Sequence, residues 1–289
     1  MNIRNFIIMA VAAVLFAACG TTSTVPITGR KQKLLVNDAQ VLSLSKQQYS
    51  QTLQKSKLST NTTNTAMVKR VGQRLATAVE TYLRSNNYQN ELQYYEWEFN
   101  LIQNNQVNAW CMPGGKICVY EGLLPVTKDE ASLAIVLGHE IAHAVAKHSA
   151  EQMSKQIRQQ YGTQIVGGIL GATVGENAGN WATAIAQSGF NFANLKYSRD
   201  NENEADYLGL IFAAMAGYDP QVATAFWQRM AASSQNKPNE IFSDHPSDAT
   251  RIANIQKAMP TALQYYKPAV TTTAKTSSTA KKAATTKKK

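Results

Sequence analysis

The stretch His139-Glu140-Ile141-Ala142-His143 combines residue types and a spacing suited to metal-assisted hydrolysis. On a helix, two histidines four apart project from one face and can hold a single ion through their ring nitrogens. Glu140, beside the first ligand, leans over the same end of the site and can reach a bound water without displacing it. Zinc lowers the pKa of such a water toward neutrality. The carboxylate then removes a proton as the carbonyl is attacked, and can return it to the leaving amine. The plain alternative is a helix with two surface histidines. Leu137, Ile141, Ala144 and Val145 weigh against it, since they place this turn inside a core where unpaired histidines are costly.

One zinc per chain would need a third protein ligand and an open fourth position. His148 lies nine residues after His139, on nearly the opposite side of a continuous helix. It is therefore no ligand, and a surface or supporting role suits it. The stretch Ser198-Arg199-Asp200-Asn201-Glu202-Asn203-Glu204-Ala205-Asp206 offers carboxylates instead. Glu202 and Asp206 share one helical face, and Glu204 points away. Glu202 as ligand, with Asp206 holding a ligand histidine, would give the carboxylate–histidine–metal support such sites need. Arg199 is grouped with Asp206 in that support. An exposed acidic turn at a helix start is the bland reading.

The elements that must position these groups are legible from periodicity. Thr127-Lys128-Asp129-Glu130 has the form of a capping box, and the apolar spacing from Leu133 to Val145 predicts a helix from there past Met153. Val41 and Leu44, then Met67, Val68, Val71, Leu75 and Val79, predict two helices separated by a polar break over 56–65. Further helices are expected over 198–216, 220–232 and 246–259. Residues 94–102 read as a strand, and 107–112 and 116–120 as the arms of a hairpin around Pro113-Gly114-Gly115. The Gly- and Ala-rich run 164–184 is too short and broken to cross a bilayer; it reads as a closely packed helix or as a lid. The expected fold is α+β and mostly helical, a single domain with a small sheet beside the histidine-bearing helix. A two-residue Gly114-Gly115 turn would set Cys111 opposite Cys118 as a hydrogen-bonded pair with a wide Cα separation. Two buried free thiols are expected there rather than a disulfide.

The ends carry no fold signal. Arg4, the apolar run Phe6 to Ala18 and then Cys19 resemble a bacterial lipoprotein signal, although Phe16 departs from the usual leucine. An ordinary secretory signal with Cys19 incidental is the alternative. The chain is thus divided into a signal peptide (1–18), a tether lipidated at Cys19 (19–35), the catalytic domain (36–265) and a disordered tail rich in Lys, Thr and Ala (266–289). Stable anchoring by several acyl chains on Cys19 is expected, and the absence of Asp after it favours the periplasmic face of an outer membrane. Seven lysines between Lys267 and Lys289 account for most of the net charge of +10, so a nucleic-acid partner is not expected.

The combined motifs resemble the zinc metallopeptidase family of the CAAX prenyl protease and HtpX, and within it the periplasmic BepA/LoiP-like lipoprotein branch. They are Pro26-Ile27-Thr28-Gly29-Arg30, Asn108-Ala109-Trp110 with Pro113-Gly114-Gly115, Gly122-Leu123-Leu124, the His139–His143 stretch, Glu202 with Asp206, and His245-Pro246 followed by Arg251-Ile252. The resemblance implies a zincin-like (gluzincin) domain, with Glu202 rather than Glu204 as third ligand. It implies that Asn108, Ala109 and Trp110 form an exposed edge strand that pairs with an unfolded or extended protein substrate. It also brings His245 to the site, as an oxyanion donor or as a gate on the open zinc position. The activity implied is endoproteolytic quality control of misfolded or stalled envelope proteins. A chaperone-like or structural envelope lipoprotein is the rival. No helical-repeat domain follows, so envelope-assembly partners recruited through one are unsupported.

Overall fold

The computed structural model describes residues 21–166, 190–234 and 249–268. Strands β1 (Thr21–Thr24) and β2 (Lys31–Leu34) form an antiparallel ribbon. Helices α1 (Asp38–Lys55) and α2 (Thr62–Ser85) follow. After a 3-10 turn (Gln89–Tyr94) come β3 (Glu98–Ile102), β4 (Ala109–Met112) and β5 (Lys116–Tyr120). The remaining helices are α3 (Leu124–Thr127), α4 (Glu130–Val145), α5 (His148–Val166), α6 (Arg199–Met215), α7 (Val222–Ser234) and α8 (Ala249–Tyr265). This is the expected mostly helical α+β domain. No helix among the described residues is long and apolar enough to cross a membrane.

The main sheet has the order β3-β5-β4, with β5 parallel to β3 and antiparallel to β4. Alternating side chains leave its two faces for two cores. Phe99, Leu101, Ala109, Cys111, Ile117 and Val119 join α2, α4, α6 and α7 on one face. Ile102, Trp110, Met112 and Cys118 join α1, α5, Phe190 and Phe192 on the other. Because both faces are covered, every residue of β4 is buried.

Four expectations change. The β4–β5 turn holds three residues, Pro113-Gly114-Gly115, both glycines having positive φ, so Cys111 pairs with Ile117 and Cys118 with Trp110. The two thiols therefore sit on opposite faces of the sheet, free and buried. The helix expected from Thr127 is capped by Asp129, whose side chain accepts from the Ser132 amide, while Thr127 ends the short α3. That helix also stops at Val145 instead of passing Met153: Lys147 takes φ +55° and the chain restarts at His148. Finally, the segment read as a tether is folded from Thr21 onward, with Val25 and Leu34 buried. The signal segment, the remainder of the glycine-rich run beyond Val166, and the basic tail from residue 269 onward lie outside the described residues.

Candidate active site

Helix α4 is buried without interruption from Ser132 to His143, so its polar side chains must find partners within the protein. Its partner is α6. The two helices meet at glycines: a Cβ on Gly138 would lie 2.6 Å from the Gly209 carbonyl oxygen, and one on Gly209 would lie 2.6 Å from the His139 nitrogen. This contact draws the acidic face of α6 against the histidines of α4. Ser198 starts α6 as expected, its hydroxyl accepting from the Asn201 amide.

Glu202 comes to both histidines. Its carboxylate oxygens lie 3.4 Å from His139 Nε2 and 3.4 Å from His143 Nε2, and the two Nε2 atoms are 3.1 Å apart. Bonds of about 2.0–2.2 Å at tetrahedral angles separate donor atoms by about 3.3–3.6 Å, so this spacing suits zinc. Two nitrogens and a carboxylate at such a convergence also match zinc's preferred donors. The three side chains are buried, and among the described residues they are the grouping able to hold an ion.

The carboxylate expected behind the ligands is also in place. Asp206 Oδ1 accepts from His139 Nδ1 at 2.8 Å, leaving Nε2 for the metal. Arg199, grouped with it from the sequence, is instead exposed in the first turn of α6. The arginine beside the ligands is Arg251 of α8. It donates to Asp206 Oδ1 at 2.6 Å and lies with its guanidinium 3.6 Å from the Trp227 ring centroid. Burial alone would raise the Asp206 pKa, but Arg251 and His139 hold it below the usual range. Burial likewise disfavours the His139 cation, yet its bonds to Asp206 and Glu202 prevail and raise its pKa to about 9. A strongly basic imidazole is also a strong metal donor.

His148 is fully buried rather than on the surface, because the break at Lys147 turns it back toward the site. Its Nδ1 lies 2.9 Å from His143 Nδ1, and its Nε2 lies 2.9 Å from Glu204 Oε2. Tyr197 stacks on the His143 ring at 4.0 Å and bonds Ser149 through its hydroxyl. Periodicity does not reveal His148, Tyr197 or Arg251 as neighbours of the ligands. The Arg251-Ile252 motif and the supporting role open to His148 are the sequence pointers to them.

Glu140 is buried next to His139; burial, and after it the Glu140 charge, raises the pKa values of Cys111 of β4 and of Tyr197. Cys111 belongs to the small sheet, which packs against α4 through β4. β4 is the edge strand of that sheet, as expected, but Asn108, Ala109 and Trp110 are buried rather than exposed. The ladder turns the amide and carbonyl groups of Ala109 and Cys111 away from β5, toward an edge that no strand among the described residues pairs. The Asn108 side chain accepts the Ala109 amide at 2.9 Å. His245 lies outside the described residues.

The sequence profile described as peptidase family M48 matches residues 63–259. The chain is 38% identical over 169 residues to the mitochondrial metalloendopeptidase OMA1 of Schizosaccharomyces pombe, covering 58% of this chain and 48% of that protein. It is 30% identical over 247 residues to the human mitochondrial metalloendopeptidase OMA1, covering 83% of this chain and 46% of that one. It is 31% identical over 176 residues to the beta-barrel assembly-enhancing protease of Yersinia pestis, covering 57% and 36%. The chain thus spans less than half the length of these relatives.

Proposed function

Because the chain belongs to peptidase family M48, a family of zinc metallopeptidases, we propose that it is an endopeptidase of the bacterial cell envelope, anchored through Cys19, that cleaves misfolded or stalled envelope proteins. The observation that carries the catalytic part is the convergence of His139, His143 and Glu202 with Glu140 buried beside them. Bound there, zinc supplies Lewis acidity to the scissile carbonyl and acidifies water. Glu140 takes the proton of the attacking water and delivers it to the departing amine nitrogen. Asp206 and Arg251 keep His139 fixed while this happens. The outward amides and carbonyls of Ala109 and Cys111 would bind the substrate backbone as an added strand, with Asn108 yielding the Ala109 amide to it. Backbone pairing of this kind favours extended chains with little sequence preference.

The envelope setting rests on the apolar run ending at Cys19 and on relatives named beta-barrel assembly-enhancing proteases in Yersinia pestis and Escherichia coli. Placement in the periplasmic lipoprotein branch is part of the same proposal. His245, six positions before Arg251, stays a candidate oxyanion donor or gate on sequence grounds. Casein cleavage by the purified protein, abolished by chelator and restored by zinc, tests the activity; chelator-insensitive cleavage would refute it. Membrane fractionation of Cys19→Ala tests the anchor, which is refuted if the variant partitions like the parent.

A further inference from the structure

We propose that His148 and Glu204 are positioning residues for the ligand His143, and that Arg30 of the N-terminal ribbon anchors the far end of the same chain of bonds. The proposal rests on the reading that His143 Nε2 faces zinc.

That reading settles every proton in the chain. With Nε2 given to the metal, neutral His143 carries its proton on Nδ1. The partner 2.9 Å away, His148 Nδ1, must then be an acceptor, so the His148 proton sits on Nε2. From there it is donated to Glu204 Oε2, also at 2.9 Å. Glu204 is fixed in turn: Thr28 Oγ1 donates to Oε1 at 2.7 Å and Arg30 Nε to Oε2 at 2.7 Å. Arg30 grips Glu151 of α5 with its other nitrogens at 2.9 and 3.0 Å, and Asn201 donates to the same carboxylate. The link thus runs from β2's leading turn through α6 and α5 to the ligand on α4.

Three of the four alternate acids of α6 (Glu202, Glu204 and Asp206) acquire distinct jobs on this geometry. Glu202 meets both ligand histidines. Asp206, one turn on, shares its face and orients His139 directly. Glu204 projects from the other side of the helix, where no zinc contact is possible, and the break at Lys147 returns His148 to meet it. The left-handed lysine is the backbone conformation that lets a residue five positions beyond His143 accept from its ring. His148 thus supplies an acceptor 2.9 Å from the Nδ1 of a ligand ring that is 1% exposed. Each ligand histidine therefore has a carboxylate behind it, one in contact and one acting through a second imidazole.

The test compares His148→Leu with His148→Gln. Glutamine can accept from His143 through its oxygen and donate to Glu204 through its amide; leucine fills similar space and does neither. Zinc dissociation constants are measured by competition with a chromophoric chelator, and the cobalt-substituted proteins are compared by visible spectrum. His148→Leu is expected to weaken zinc binding about 10- to 100-fold and to shift the cobalt bands, the usual cost of losing a group that orients a ligand. His148→Gln should stay near the parent in both. Equal zinc affinity in His148→Leu and parent, or an equal fall in both variants, overturns the proposal. If far-UV dichroism shows that His148→Leu does not fold, Glu204→Ala decides: a loss of the same order supports the chain of bonds, and unchanged affinity overturns it. A parent that binds no zinc would overturn the metal assignment itself, and this proposal with it.

Discussion

Gly209→Ala probes the contact that brings the two ligand-bearing helices together. A Cβ there would lie 2.6 Å from the His139 nitrogen, 2.7 Å from the Gly138 carbonyl carbon and 2.8 Å from the His139 Cα. All three are backbone atoms of α4, so no side chain can rotate away. Restoring ordinary contact requires α6 to move by roughly 1 Å, which carries Glu202 and Asp206 off His139. At an exposed helical site, Gly to Ala stabilises by about 1 kcal/mol. Here overpacking of about 1–3 kcal/mol opposes that gain, and three close backbone contacts put the cost at the upper end. The expected net change is a loss of about 2 kcal/mol, or a Tm lower by roughly 4–8 °C in a domain of this size. A shift of that size at a catalytic centre costs on the order of a hundredfold in turnover. Calorimetry and casein cleavage at saturating zinc read both quantities. A Tm equal to or above that of the parent, with unchanged turnover, would refute the close-approach argument.

Arg251→Ala strands the buried Asp206 carboxylate and uncovers Trp227; a loss of about 3–5 kcal/mol is expected, and an unshifted calorimetric Tm would contradict it. Glu151 and Glu204 should make the Arg30 contribution acid-sensitive. Burial would raise both pKa values, but bonds from Arg30 to each, and from His148 and Thr28 to Glu204, hold them below 4.5. Folded values under the unfolded ones mean stability that is complete above about pH 4.5 and lost as pH falls through the folded values. The urea-midpoint difference between the parent and Arg30→Ala, both in chelator, should be flat above that pH and shrink below it. A difference constant down to pH 3 would remove the ion pairs from the explanation. Cys111 and Cys118, both raised in pKa by burial, should react slowly with an alkylating reagent in the native protein and yield two modified thiols after unfolding. A disulfide would leave both unmodified.

Local signals carried much of this architecture. The helix expected from residue 198 is α6, whose exposed first-turn amides the Ser198 hydroxyl helps to satisfy. Glu202 and Asp206 were legible as partners because four residues is one helical turn. The cap of α4 was misplaced because Asp129 serves the same function two residues after Thr127, and both patterns precede the same apolar run. The end of α4 leaves no trace in the sequence. Lys147 lacks the glycine or asparagine that usually marks a left-handed residue, so His148 reads as lying on the far side of a continuous helix. The ribbon at Thr21–Leu34 hides its fold because few of its residues are apolar, and ion pairs from Arg30 hold it in place. Arg251 reaches Asp206 across 45 positions of sequence, a pairing that tertiary packing alone creates.

The central claim is that zinc held by His139, His143 and Glu202 serves a proton transfer made by Glu140. Zinc content and casein cleavage of Glu140→Gln, measured beside the parent, test it most directly. The account predicts one zinc per chain in both proteins and cleavage slowed by about 10²- to 10⁴-fold or more in the variant. Cleavage at the parental rate by Glu140→Gln, or a folded parent that binds no zinc, would contradict it.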